Sequence, residues 1–234
     1  MPYRRTPFAQ DEWYHVYTRG IDKRTTFHRA EDFHRFKLLL YLANDTKPFE
    51  IRNYKDKSLD QIMMLPRKNP LVRIGAYCLM GNHPHLLLQE SSEGGISRFM
   101  HKIGTGYTMY FNLIHNRIGN LFVKPFRSKH IPDDSGLRYV AQYIHLNPAE
   151  LFEPQWKQGI VRDRQRLEKK LLDYKYSSLP DYHGIVRPEK AILDNDAVSV
   201  ISDNLPPLSR ILDEAAEYYA EIESDLERKT HQNG

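Results

Sequence analysis

Hydrophobic and polar positions follow distinct rhythms along the chain. Residues 13–18 (WYHVYT) are aromatic and β-branched and stop at Arg19-Gly20, which predicts a strand and a turn. Residues 30–43 place Phe33, Phe36, Leu39, Leu40 and Ala43 at helical spacing. Glu31 and Asp32 fall in the first turn, where the helix dipole favours acids. Residues 44–70 are a polar excursion with a short helix near 59–64. Residues 71–80 (LVRIGAYCLM) predict a second strand, Gly81-Asn82 a tight turn, and residues 83–89 (HPHLLLQ) a third strand, so the pair forms a hairpin. After Gly94-Gly95, Ile96, Phe99, Ile103, Tyr107, Tyr110, Phe111 and Ile114 outline a long amphipathic helix, weakened by Gly104 and Gly106. A fourth strand is expected near 126–131. Asp133-Asp134-Ser135 offers an N-cap for a helix over 137–146, which ends at Asn147-Pro148 because a residue before proline avoids the α region.

The first six main elements spell βαββαβ. The fold class is therefore α+β, with a ferredoxin-like antiparallel sheet, helices on one face and a further helix packed against the unit. Beyond residue 150 the chain changes character. Residues 173–182 (DYKYSSLPDY) read as an ordered loop. After Pro206-Pro207, an acidic amphipathic helix is expected over 208–226, from Leu208, Ile211, Leu212, Ala215, Ala216, Tyr219, Ile222 and Leu226.

Composition narrows the class. With 234 residues, 40% apolar and 12% aromatic, the chain can bury a real core and is not disordered. A single cysteine, Cys78, excludes a disulfide framework and a cysteine-cluster zinc site, and it fits a reducing, cytoplasmic location. No secretory core or membrane-length apolar run is expected. The net charge of +4 hides an asymmetry: residues 1–150 hold 22 Lys+Arg against 14 Asp+Glu (+8), and residues 151–234 hold 12 against 16 (−4). A basic first part suits a polyanion such as nucleic acid, and it also suits an unevenly solvated surface.

Two local patterns carry candidate chemistry. In His83-Pro84-His85, residues i and i+2 of a strand point to one face, so both imidazoles can grip one metal ion. The same string also suits two polar residues at a hairpin. Tyr139, Tyr143 and Asn147 follow at i, i+4 spacing on one helix face. A tyrosine hydroxyl there is a possible nucleophile and the Asn147 amide oxygen a possible ligand. Packing tyrosines and an ordinary helix terminator would look the same.

Taken together and in order, these blocks resemble the single-tyrosine HUH nucleases, and in particular the REP-associated tyrosine transposases. The resemblance runs over roughly residues 12–184, through AYCLMGNHPHLLLQ (76–89), residues 94–128, and LRYVAQYIHLNP (137–148), with a weaker echo at 174–182. It implies a nuclease domain over 1–150 with the ferredoxin-like fold, and a C-terminal extension over 151–234. The implied activity is metal-dependent endonuclease and strand transfer on single-stranded, hairpin-forming DNA through a 5′-phosphotyrosine, with Mg²⁺ or Mn²⁺ as cofactor and no small-molecule substrate. Carried over by position, His83 and His85 are the metal pair, Asn147 a third ligand and Tyr143 the nucleophile, with Tyr139 as rival. The resemblance implies a monomer, although relatives of this class also form dimers. Proline stands at 84 where the family carries an apolar residue. The alternative is a DNA-binding protein that uses the same scaffold without turnover.

Arg98, Lys102, Arg117, Lys124, Arg127, Lys129 and Arg138 are candidates for phosphate contacts, and Arg4 and Arg5 for a basic arm. The acidic C-terminal helix is expected to dock on the basic part and compete with DNA.

Overall fold

The computed structural model describes residues 7–203, 205–212, 218, 219, 222 and 224. Four strands, β1 (Trp13–Tyr17), β2 (Val72–Leu79), β3 (Pro84–Glu90) and β4 (Arg127–Ile131), form one antiparallel sheet in the order β2-β3-β1-β4. Between β1 and β2 run α1 (Ala30–Leu42) and the short α2 (Leu59–Met63), and α3 (Gly95–Ile114) joins β3 to β4. This is the βαββαβ arrangement with the strand order of a ferredoxin-like sheet. The polypeptide continues as α4 (Asp134–Leu146), α5 (Ala149–Phe152), α6 (Arg164–Leu172), α7 (Leu179–Tyr182) and α8 (Asn195–Ser202). Among the described residues no helix is long and apolar enough to cross a membrane.

Strand alternation sorts the side chains between two faces. Tyr14, Val16, Leu86 and Leu88 point toward α1 and α3 and join Phe36, Leu39, Phe99, Ile103 and Tyr107 in the main core. Leu87, Ile131, Ala76 and Cys78 point the other way, toward Leu137, Val140, Ala141 and Ile144 of α4 and Ile201 of α8. A register shift between Ile74 and Ala76 makes this sorting work in β2. Ile74 faces the main core while Ala76, two residues on, faces α4, because the inserted residue reverses the parity. That residue is Gly75, and a Cβ there would lie 2.7 Å from Ile201 Cδ1, so any larger residue would make the Ile201 side chain on α8 shift.

Local signals explain the helix that carries the tyrosines. Asp133 accepts a hydrogen bond from the Gly136 amide at 2.7 Å and caps α4, as its sequence predicts. The helix stops at Leu146, but not for the reason expected: Asn147 stays in the α region (φ −49°, ψ −41°) despite preceding Pro148, and α5 follows at once. Pro84 is the first residue of β3, where its missing N–H is tolerated even though β3 is an interior strand.

The chain beyond residue 150 is not a loose appendage. Tyr143, Leu146, Trp156, Leu167, Leu171, Leu208, Ile211 and Tyr219 form a second apolar cluster on the outer side of α4. Residues 174–178 run along the outer edge of β2: the Leu79 amide donates to Tyr176 O at 2.9 Å and the Ser178 amide to Tyr77 O at 2.9 Å. The loop expected over 173–182 thus acts as an edge cover and closes in a single helical turn, α7. The helix expected from residue 208 is present where described, at residues 208–212, 218, 219, 222 and 224, and its remainder lies outside the described residues.

Candidate functional site

The α4 face of the sheet gathers three histidines. His83 and His85 project to the same side, with ring centroids 4.8 Å apart. His15, on the neighbouring β1, places Nε2 2.9 Å from His85 Nδ1, and its own Nδ1 lies 2.7 Å from the Tyr218 hydroxyl. The Tyr17 ring stacks on His85 at 5.7 Å. His83 Nδ1 lies 2.5 Å from Asn82 Oδ1. Each histidine of the pair therefore has Nδ1 engaged. Neither Nε2 has a hydrogen-bond partner among the described residues, and that of His85 is buried.

Burial is the main electrostatic influence here. It holds His83 down at about 3, helped by the charges of Arg19 and Lys157, and holds His15 at about 3, helped by Lys129. His85 is pushed well below its usual range by burial, then by His83 and His15. All three rings are neutral near pH 7, which is the state in which imidazole ligates a metal. An orphaned Nε2 with its partner nitrogen oriented by an outer hydrogen bond is what a histidine ligand presents, so the pair fits a divalent cation. Among the described residues no group of three or more His, Cys, Asp or Glu stands in position to hold a metal. An amide oxygen is another donor that can join two imidazoles on a divalent ion. Asn147 Nδ2 donates to the carbonyls of Tyr143 (3.0 Å) and Ile144 (3.2 Å), and among the described residues its Oδ1 has no hydrogen-bond partner.

Tyr143 lies on the outer side of α4 with 8% of its surface exposed. Tyr139 shares that helix face, its ring 6.2 Å away. The C-terminal helix covers Tyr143. The Tyr218 ring stacks on it at 4.3 Å and 12°, Tyr219 meets it edge-on at 5.9 Å, and the Tyr219 hydroxyl donates to the Tyr143 carbonyl. Tyr218 therefore bridges the two halves of the site, touching Tyr143 by its face and His15 by its hydroxyl.

The basic residues divide. Arg127 and Lys129 pair across β4 with Tyr17 and His15, and Lys129 Nζ sits 4.9 Å over the Tyr218 ring, so both flank the histidines. Arg138, on α4, has a buried Nε without a hydrogen-bond partner. Arg98 and Lys102 lie on α3, across the sheet. Arg98 bonds Ser92 Oγ and the Glu93 carbonyl, and Lys102 is tied to the carbonyls of Asp45 (2.5 Å) and Lys47 (2.9 Å). Arg117 closes the loop after α3 through Asn112 and the Asn120 carbonyl. Lys124 is exposed. Arg4 and Arg5 lie outside the described residues.

The residues missed in the sequence are His15 and Tyr218. Period two along β1 puts His15 on the face opposite Tyr14 and Val16, a signal that was available once a polar position inside an aromatic strand was noticed. Tyr218 sits one residue from an apolar helix position and has no comparable mark.

No protein-family model and no curated protein matches the chain. A solved structure of a REP-associated tyrosine transposase bound to a REP hairpin is similar to it, with a TM-score of 0.49 and 14% identity over 81% of this chain and 90% of that one.

Proposed function

We propose that this protein is a metal-dependent single-strand DNA endonuclease and strand transferase with Tyr143 as nucleophile, acting on hairpin-forming DNA. The observation that carries this reading is the pair of neutral histidines with both Nδ1 atoms engaged and both Nε2 atoms unpartnered, on the sheet face against which the Tyr143 helix packs. His83, His85 and Asn147 would hold Mg²⁺ or Mn²⁺. When bound, the ion neutralises charge on a non-bridging phosphate oxygen and orients the phosphate. Arg127 and Lys129, beside the histidines, would contact the strand's phosphates without reading its sequence.

The chemistry of the chain's own groups is then direct. The Tyr143 phenol gives up its proton as Oη attacks phosphorus. The bond from phosphorus to the 3′-oxygen breaks, and that oxygen leaves as a hydroxyl after taking a proton. The product is a 5′-phosphotyrosine, whose bond is close in energy to the one broken. A 3′-hydroxyl can attack it in reverse, so rejoining or transfer needs no ATP.

One feature favours a second reading, DNA binding without turnover: Tyr143 is covered by Tyr218 and Tyr219. The discriminating experiment incubates the protein with a labelled hairpin oligonucleotide and Mn²⁺ or Mg²⁺ and looks for a covalent adduct on a denaturing gel. Wild type should form one and Tyr143→Phe should not. An adduct that survives in Tyr143→Phe overturns the assignment, and hairpin binding without any adduct in wild type supports the second reading.

A further inference from the structure

The chain beyond residue 150 is acidic as a whole, yet residues 157–175 hold seven Lys or Arg against three Asp or Glu. Most of these charges sit on or beside α6, which buries Leu167 and Leu171, half-buries Glu168, Lys170 and Leu172, and exposes Arg164, Gln165, Arg166 and Lys169. Between α5 and α6 lies a cavity of about 620 Å³, lined by Phe152, Ile160, Arg162, Arg166 and Lys170 among others. Lys170 Nζ stands 5.0 Å over the Phe152 ring. Arg162, Arg166 and Lys170 make no ion pair among the described residues. Two carboxylates also line the cavity, Glu153 and Asp163, and Asp163 is occupied in capping α6 through the Arg166 amide at 2.9 Å. The net charge of the lining is thus only +1, too little for firm capture of an isolated phosphate. A ligand that adds a flat apolar ring to its phosphate gains from Phe152 as well, and a nucleic-acid strand with unpaired bases has both features.

The cavity wall begins at Phe152, the last residue of α5, which follows Asn147-Pro148 along the chain. On the same segment, Lys157 pairs with Glu150 at 3.4 Å and is close enough to His83 and His85 for its charge to act on both.

We infer that the α5–α6 cleft binds single-stranded DNA, holding backbone phosphate between Arg162, Arg166 and Lys170 with a base against Phe152. The inference rests on the DNA reading above and extends it, assigning a separate track for the unpaired strand that leaves the histidine site. The test measures fluorescence anisotropy of the full-length protein with two hairpin oligonucleotides, one blunt and one carrying a short oligothymidine extension. Wild type should bind the extended hairpin more tightly. The triple substitution Arg162→Ala, Arg166→Ala, Lys170→Ala should weaken the extended hairpin about tenfold or more and lower the slope of log K against log salt by about 2 to 3. Phe152→Leu should weaken it about fivefold with the slope unchanged. Both variants should bind the blunt hairpin like wild type, which also reports that they fold. Wild-type affinity and salt slope in the triple variant on the extended hairpin would overturn the cleft alone. Binding of neither oligonucleotide by wild type would overturn the DNA reading and the cleft with it.

Discussion

The two faces of the sheet come from the same four strands and are built for different ends. Toward α1 and α3 the strands present Tyr14, Val16, Ile74, Leu79, Leu86 and Leu88, an almost wholly apolar surface. Toward α4 they present His15, Tyr17, His85 and Lys129 alongside Cys78 and Leu87. Burying aliphatic side chains lowers the free energy of folding outright. Burying an imidazole does so only if its nitrogens find partners, and the unpartnered Nε2 of His85 costs about 1–3 kcal/mol. One face thus carries stability, and it supports a second face that keeps an unsatisfied polar atom where a ligand can use it.

Substitutions on each face should separate these roles. The largest effect is expected from His85→Ala, which should lower the rate of hairpin cleavage by about three orders of magnitude, or about 4 kcal/mol. It should also abolish Mn²⁺ binding followed by electron paramagnetic resonance, with far-ultraviolet circular dichroism unchanged. Retained Mn²⁺ affinity would show that the histidine face does not hold the ion. Next comes Leu88→Ala on the opposite face, fully buried in the main core. It should cost about 3 kcal/mol in urea unfolding while each folded molecule keeps its cleavage rate. A loss of rate without loss of stability would mean that the two faces are coupled. The smallest effect tests the cover over Tyr143. Deleting residues 205–234 removes Tyr218 and Tyr219. If the covered form holds about nine molecules in ten, the deletion should raise adduct formation about tenfold, or about 1.4 kcal/mol. Unchanged adduct yield would mean that the C-terminal helix does not compete with the strand.

Much of this organisation was legible in the residues. Patterning found β1, α1, α3 and α4 to within a few residues, and Asp133 marked the start of α4 because the cap is local. Features that depend on pairing were hidden. The meeting of His15 with His85 joins positions 70 apart and follows from strand register, not from either neighbourhood. The parity reversal at Gly75 likewise appears only once β2 is laid against β3. Helix α6 was overlooked because two buried leucines in nine positions are too few to show a period, and the averaged charge of the C-terminal part concealed its basic stretch. Of the candidate site, the histidine pair and the tyrosine helix could be read. The cover supplied by Tyr218 could not, since nothing near residue 218 points to residue 143.

The strip at residues 174–178 has a consequence for how copies of this molecule meet. A four-stranded open sheet has two outer strands, and either can recruit another chain through its unused backbone groups. Here the strip takes the outward amides of Tyr77 and Leu79 and Asn44 takes that of Val72, while β4, the other margin, bears Arg127 and Lys129. One margin is sealed and the other repels its own kind, so sheet-to-sheet zippering between molecules is blocked on both sides. The positive charge that would draw in a nucleic-acid strand therefore also works against fibrous self-association.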